Sequence, residues 1–141
     1  MGRVAAVDFG LKRLGIAVSD ERKMLASPFE TLQAKKSMAE TAKALFDLLQ
    51  TKGPIDAIIL GLPLLLSGKE GEMVAQVKLF AHLLKEYYTG PIIFWDERLT
   101  TAQAERSLKE MDMNRKKRAK YTDLLAATLI LQTYLDSQFP I

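Results

Sequence analysis

Residues Arg3 to Ser19 run RVAAVDFGLKRLGIAVS, two short apolar segments either side of a Gly-Leu-Lys-Arg turn. Arg3 to Phe9 (RVAAVDF) is a short apolar strand, Gly10-Leu11-Lys12-Arg13 a turn, and Leu14 to Ser19 (LGIAVS) a second strand, so the two pair as a hairpin. Asp8 is the odd residue in it. Ala6, Val7 and Phe9 around it are apolar, so its carboxylate falls where burial is expected. A charge there is costly unless a cation or hydrogen-bond donors meet it.

Working outward, Pro28 to Leu32 is a candidate third strand. Ser37 with Glu40 has capping-box spacing, and Met38, Ala42, Leu45, Leu48 and Leu49 recur behind it at helical spacing until Gly53-Pro54. Asp56 to Leu60 (DAIIL) is a buried-strand candidate closed by Gly61-Leu62-Pro63. Met73, Val77, Phe80, Ala81 and Leu84 mark one face of a second helix, stopped near Gly90-Pro91. Ile92 to Trp95 (IIFW) is a further strand running into Asp96-Glu97-Arg98. Thr100 with Gln103 suggests a capped third helix ending near Met111, and Leu124, Leu125, Thr128, Leu131 and Leu135 stripe a last one. Strands separated by helices favour parallel crossovers beside the N-terminal meander. The expectation is an α/β fold, a mixed central sheet with helices on both faces, in a single domain spanning residues 1–141.

Composition narrows the function. The chain has no cysteine, which excludes a disulfide framework, a thiolate zinc site and a cysteine nucleophile. No stretch reaches the roughly 18 continuous apolar residues of a membrane span, and the strand-like run begins directly after Met1-Gly2 with no signal-peptide pattern. A cytoplasmic protein without a membrane partner is expected. The net charge is only +3, yet Arg115, Lys116, Lys117, Arg118 and Lys120 form a compact cationic segment. It is either a solvated loop or a surface for phosphates.

Three acids share a placement that solubility does not explain. Asp8 ends the first strand, Glu97 follows the strand Ile92 to Trp95, and Asp123 stands just before the apolar stripe of the last helix. Strand ends of an open α/β sheet converge on one edge, the usual ligand crevice. Carboxylates gathered there repel one another. Hard divalent cations relieve that repulsion, and oxygen-only ligands suit Mg²⁺ or Mn²⁺, which in pairs serve phosphodiester cleavage. Each acid also has a plainer reading: Asp8 as a turn residue bonding backbone, Glu97 as a surface partner of Arg98 or Lys109, Asp123 as a helix N-terminal acid stabilised by the macrodipole.

The stretch Val7 to Asp20 closely resembles the opening signature of the pre-16S rRNA nuclease family (YqgF type), which is related to RuvC-like Holliday-junction resolvases. Gly61-Leu62-Pro63 with Ser67-Gly68, then Asp96-Glu97-Arg98-Leu99-Thr100-Thr101 with Ala104, then Asp123 with Ala126-Ala127 and Leu131 agree with it in order. The resemblance implies an RNase H-like fold with Asp8, Glu97 and Asp123 as the catalytic, metal-holding set for Mg²⁺ or Mn²⁺. It also implies a nucleic-acid partner, precursor ribosomal RNA, within or outside a ribosomal particle. Leu64-Leu65-Leu66 departs from the polar residue that family members often carry there, and reads as packing.

Beside that set, Gly10 and Gly15 would let the hairpin approach a phosphate, and Lys12 and Arg13 would bind one. Arg98 either orients Glu97 or contacts phosphate. Arg115, Lys116, Lys117 and Arg118 complete the expected nucleic-acid contacts. His82 is the only histidine and receives a structural or surface role; Trp95 reads as core. The expected activity is a metal-dependent endonuclease on structured RNA, maturing the 5′ end of pre-16S rRNA. Its rivals are a Holliday-junction resolvase acting on DNA, an ATPase with the related phosphate loop, and a non-catalytic nucleic-acid-binding or transcription factor. A monomer and a weak dimer both fit.

Overall fold

A computed structural model describes residues 2–63, 67, 68, 70–97 and 115–138, with backbone alone for 115–121. Among the described residues, five strands form one sheet in the order β3-β2-β1-β4-β5. They are β1 (Arg3–Asp8), β2 (Arg13–Ser19), β3 (Ala26–Gln33), β4 (Ile55–Leu62) and β5 (Ile92–Asp96). The first three pair antiparallel as the expected meander, whereas β4 and β5 run parallel to β1. Pro28 is tolerated in β3 because that strand is an edge, where a missing N–H costs no inner ladder bond.

Helices α1 (Met38–Gln50) and α2 (Glu72–Leu84) cover one face of the sheet. Ser37 caps α1 as its spacing foretells: its Oγ accepts from the Glu40 backbone N–H at 3.1 Å and lies 3.2 Å from Glu40 Oε1. Gly53, at φ +87°, turns the chain out of that helix before Pro54. The opposite face is covered by α3 (Arg115–Gln138). Helices on both faces of a mixed sheet is therefore the observed architecture.

Alternation along the strands sorts the core into two layers. Ala5, Val7, Leu14, Ile16, Ile58 and Leu60 face α1 and α2, while Val4, Ala6, Ala17, Ala57 and Ile59 face α3 and meet Ala127, Ile130, Leu131 and Leu135. Trp95 belongs to the second layer, its ring meeting Tyr134 edge-on at 5.5 Å.

Two expectations need correction. The basic segment is not a loop: the backbone is helical from Arg115, because Lys, Arg and Ala are strong helix formers that need no apolar stripe to continue a helix upstream. Asp123 consequently sits inside α3, eight residues past its first residue, so the macrodipole reading of that acid does not hold. At the edges, β1 stops at Asp8, and Phe9 leaves the strand to stack on Phe80 at 4.8 Å. Strand β3 outruns Pro28 to Leu32 at both ends. The helix expected from Thr100 to near Met111, Arg98 and Leu64-Leu65-Leu66 lie outside the described residues. Among the described residues no helix is long and apolar enough to cross a membrane.

Candidate active site

Strand parity aims two of the acids at one face. Val4 and Ala6 point toward α3, and Asp8, two residues on, continues that series. Ile93 and Trp95 do the same in β5, and Glu97 follows them, its backbone N–H bonded to the Leu62 carbonyl at 3.2 Å. Asp123 arrives from α3 itself. Three acids distant in sequence thus come together between the sheet and the helix that covers it, at the C-terminal ends of the parallel strands.

Two glycines clear the space they occupy. Gly15 is the cross-strand partner of Asp8, and a Cβ there would fall on the backbone carbonyl of Asp123. A Cβ at Gly61 would fall on Glu97 Oε2 and lie 2.8 Å from Ile130 Cδ1. Both glycines lie within strands rather than at turns, so Gly15 serves helix packing and not the hairpin bend. A glycine inside a strand is a legible signal for close backbone approach.

Crowding alters the acids' chemistry. Burial pushes the Asp8 carboxyl up to about 9, reinforced by the charges of Glu97 and Asp123 and by hydrogen bonds with both. Burial also raises Glu97; the hydrogen bond from Asp8 opposes this, and the charges of Asp123 and Asp96 add to it. Glu97 is only 8% exposed, and its Oε2 is buried without a hydrogen-bond partner among the described residues. Burial and the neighbouring carboxylates thus favour the protonated form of Asp8, the form that can donate to Glu97.

This donor set fits a hard divalent cation. It offers carboxylate oxygens only, one of them buried and unsatisfied, in a place where a second positive charge would relieve the repulsion that holds the Asp8 proton. Among the described residues no three His, Cys, Asp or Glu side chains stand at metal-ligand spacing.

The basic residues divide. Arg13, expected to meet phosphate, places Nε 2.7 Å from Asp123 Oδ2, an ion pair that sequence reading misses because the partners are 110 positions apart. Lys12 is exposed at the turn beside it, its carbonyl accepting from Ala34 N–H at 2.9 Å. Arg115, Lys116, Lys117 and Arg118 lie on the helix that carries Asp123, within about two turns of it.

Comparison with known proteins identifies the family and the fold. Residues 2–137 match the sequence family described as RuvX: Holliday junction resolvase. A protein of Protochlamydia amoebophila named "Putative pre-16S rRNA nuclease" is 45% identical across 96% of this chain and 94% of its own length. One of the same name from Caldanaerobacter subterraneus is 44% identical across 96% and 97%. Thermus thermophilus RuvC, solved with a Holliday junction substrate, superposes with a TM-score of 0.59 at 14% identity over 98% of this chain and 96% of that one. The fowlpox virus Holliday junction resolvase superposes at 0.60 and 15% identity over 97% and 99%. At such identities the likeness is one of fold, the RNase H-like sheet of RuvC-type resolvases. With the family match running over nearly all its length, this chain belongs to the RuvX family of RNase H-like nucleases.

Proposed function

We propose that the protein is a divalent-metal-dependent endonuclease that hydrolyses phosphodiester bonds of structured RNA and matures the 5′ end of pre-16S rRNA. The substrate reading rests on the relatives named for that activity. The observation that carries the chemistry is the convergence of Asp8, Glu97 and Asp123, with Glu97 Oε2 buried and unsatisfied.

Asp8, Glu97 and Asp123 would hold Mg²⁺ or Mn²⁺. Bound there, such ions supply the charge that activates a water and steadies the leaving oxygen. Asp8 gives up its proton as the site loads. Arg13 holds Asp123 in place through the 2.7 Å pair, and the covering helix keeps bulk water from Glu97. Lys12, Arg98 and the Arg115, Lys116, Lys117, Arg118 run position the phosphate backbone, with Arg13 contributing from beside Asp123. The working setting is the cytoplasm, on precursor rRNA free or within a ribosomal particle, as a monomer or weak dimer.

The test is cleavage of labelled precursor RNA by purified protein with Mg²⁺ or Mn²⁺, beside a chelator control, a four-way DNA junction and Asp8→Asn. RNA cleavage that needs the metal and is lost in Asp8→Asn is the expected result. Equal cleavage by Asp8→Asn overturns the site assignment, and preferential cutting of the junction favours the resolvase reading suggested by the family's description.

A further inference from the structure

A second feature of the molecule lies on the face of the sheet away from α3. Between α2 and the edge strand β5 is an open cavity of about 280 Å³ lined by Lys78, Ala81, His82, Lys85, Ile92 and Phe94. The strand alternation that sends Ile93, Trp95 and Glu97 toward α3 sends Ile92 and Phe94 into this groove. Phe94 is 38% exposed, and among the described residues β5 is an edge strand with no further strand beyond it.

The lining has a definite chemical character. Its floor is apolar, one wall is an aromatic ring, and among the described residues its polar groups are two lysines and a histidine with no carboxylate. Lys78 is paired with Glu70 at 2.8 Å, but both are well exposed, and such surface pairs are weak enough to exchange. A partner suited to these walls presents a flat π-face and a negative charge close together. A nucleotide does so, whereas a paired base hides its face within the stack. Aromatic stacking beside a cationic track is the general way proteins hold single strands.

The groove and the reaction centre lie on opposite faces of one strand, β5. Phe94 precedes Glu97 by three residues on one extended segment, which sets their Cα atoms about 10 Å apart. A strand with its scissile phosphate at Glu97 would reach Phe94 by passing around the edge of β5 from one face of the sheet to the other.

We propose that the α2–β5 groove is a subsite for an unpaired nucleotide flanking the scissile bond, its base stacked on Phe94 and its phosphate met by Lys85, Lys78 and His82. This rests on the nuclease reading above and adds a preference for substrates with a single-stranded flank.

The test reads binding apart from cleavage. Fluorescence anisotropy with a short single-stranded RNA, the same sequence as single-stranded DNA, and a blunt RNA duplex is measured on full-length Asp8→Asn protein, so that failure of the cleavage claim leaves this measurement intact. Adding Phe94→Ala is expected to weaken single-strand binding about tenfold and blunt-duplex binding far less, while Phe94→Trp retains the parent affinity. Lys85→Glu is expected to weaken single-strand binding and flatten its salt dependence. Equal losses on RNA and DNA assign recognition to base and phosphate; a loss on RNA alone adds the ribose. A 5-iodouridine oligonucleotide is expected to crosslink at Phe94, a readout that needs no variant to fold. Unchanged single-strand affinity in Phe94→Ala, or crosslinks that avoid β5 and α2, overturns the proposal.

Discussion

Gly15 and Asp123 are in contact through the side chain that Gly15 lacks: the helix backbone at Asp123 occupies the position where a Cβ on β2 would stand. Because Gly15 also pairs with Asp8, one missing methyl group fixes the spacing between two of the three acids. Gly15→Ala is expected to push α3 outward and destabilise the fold by about 1–3 kcal/mol, the usual effect of overpacking. Cleavage should fall much further than stability, since Asp123 moves with its helix. Thermal unfolding and single-turnover cleavage of the same preparation check both.

Asp8 gives the ion-free protein a distinctive pH dependence. Its carboxyl is pushed up to about 9 in the folded chain against the ordinary 3.8 of an aspartate, so the folded state binds the proton more tightly than the unfolded one. Stability from this group is complete below about pH 4 and declines as pH rises toward about 9. Asp8→Asn removes the titration, so the ion-free variant should melt higher than wild type at pH 8 and about equally at pH 4. Melting curves across that window in chelator are the check.

Metal should reverse the trend. Mn²⁺ must displace the Asp8 proton, so its stabilising effect on wild type grows from pH 6 to pH 9 and is lost in Asp8→Asn. Titration calorimetry in buffers of different ionisation enthalpy should detect proton release on loading.

Arg13 separates two roles by kinetics. Its pair with Asp123 is partly exposed on both sides, so Arg13→Gln should cost only about 0.2–1 kcal/mol of stability. If its work is to hold Asp123, kcat falls with little change in KM. A fall in both kcat and kcat/KM is the expected result, with the phosphate contact adding a rise in KM; a change confined to KM would remove the role in holding Asp123 and leave phosphate contact alone.

Much of this is legible in the sequence, and the reasons are physical. The meander and the crossover strands follow from short apolar runs with turn residues between them, and Asp8 and Glu97 stand out as acids attached to such runs. Asp123 stands out too, but its place in the helix does not: the apolar stripe from Leu124 marks where α3 becomes buried, not where it begins, and the basic residues from Arg115 extend the helix without any periodic signal. The clearances at Gly15 and Gly61 and the Arg13–Asp123 pair depend on which segments meet across the fold. Local pattern carries no such information, although a glycine inside a strand hints at it. Phe94 escapes notice because in a buried-strand pattern an edge strand's exposed ring looks the same as a core residue.

The central claim is that Asp8, Glu97 and Asp123 together hold the ions. Anomalous diffraction from crystals soaked in Mn²⁺ tests it most directly. Peaks bounded by these three carboxylates, with Glu97 Oε2 among the ligands, are the predicted result. Manganese seated elsewhere while these side chains stay as they are, or no peak at a concentration that supports cleavage, would contradict it.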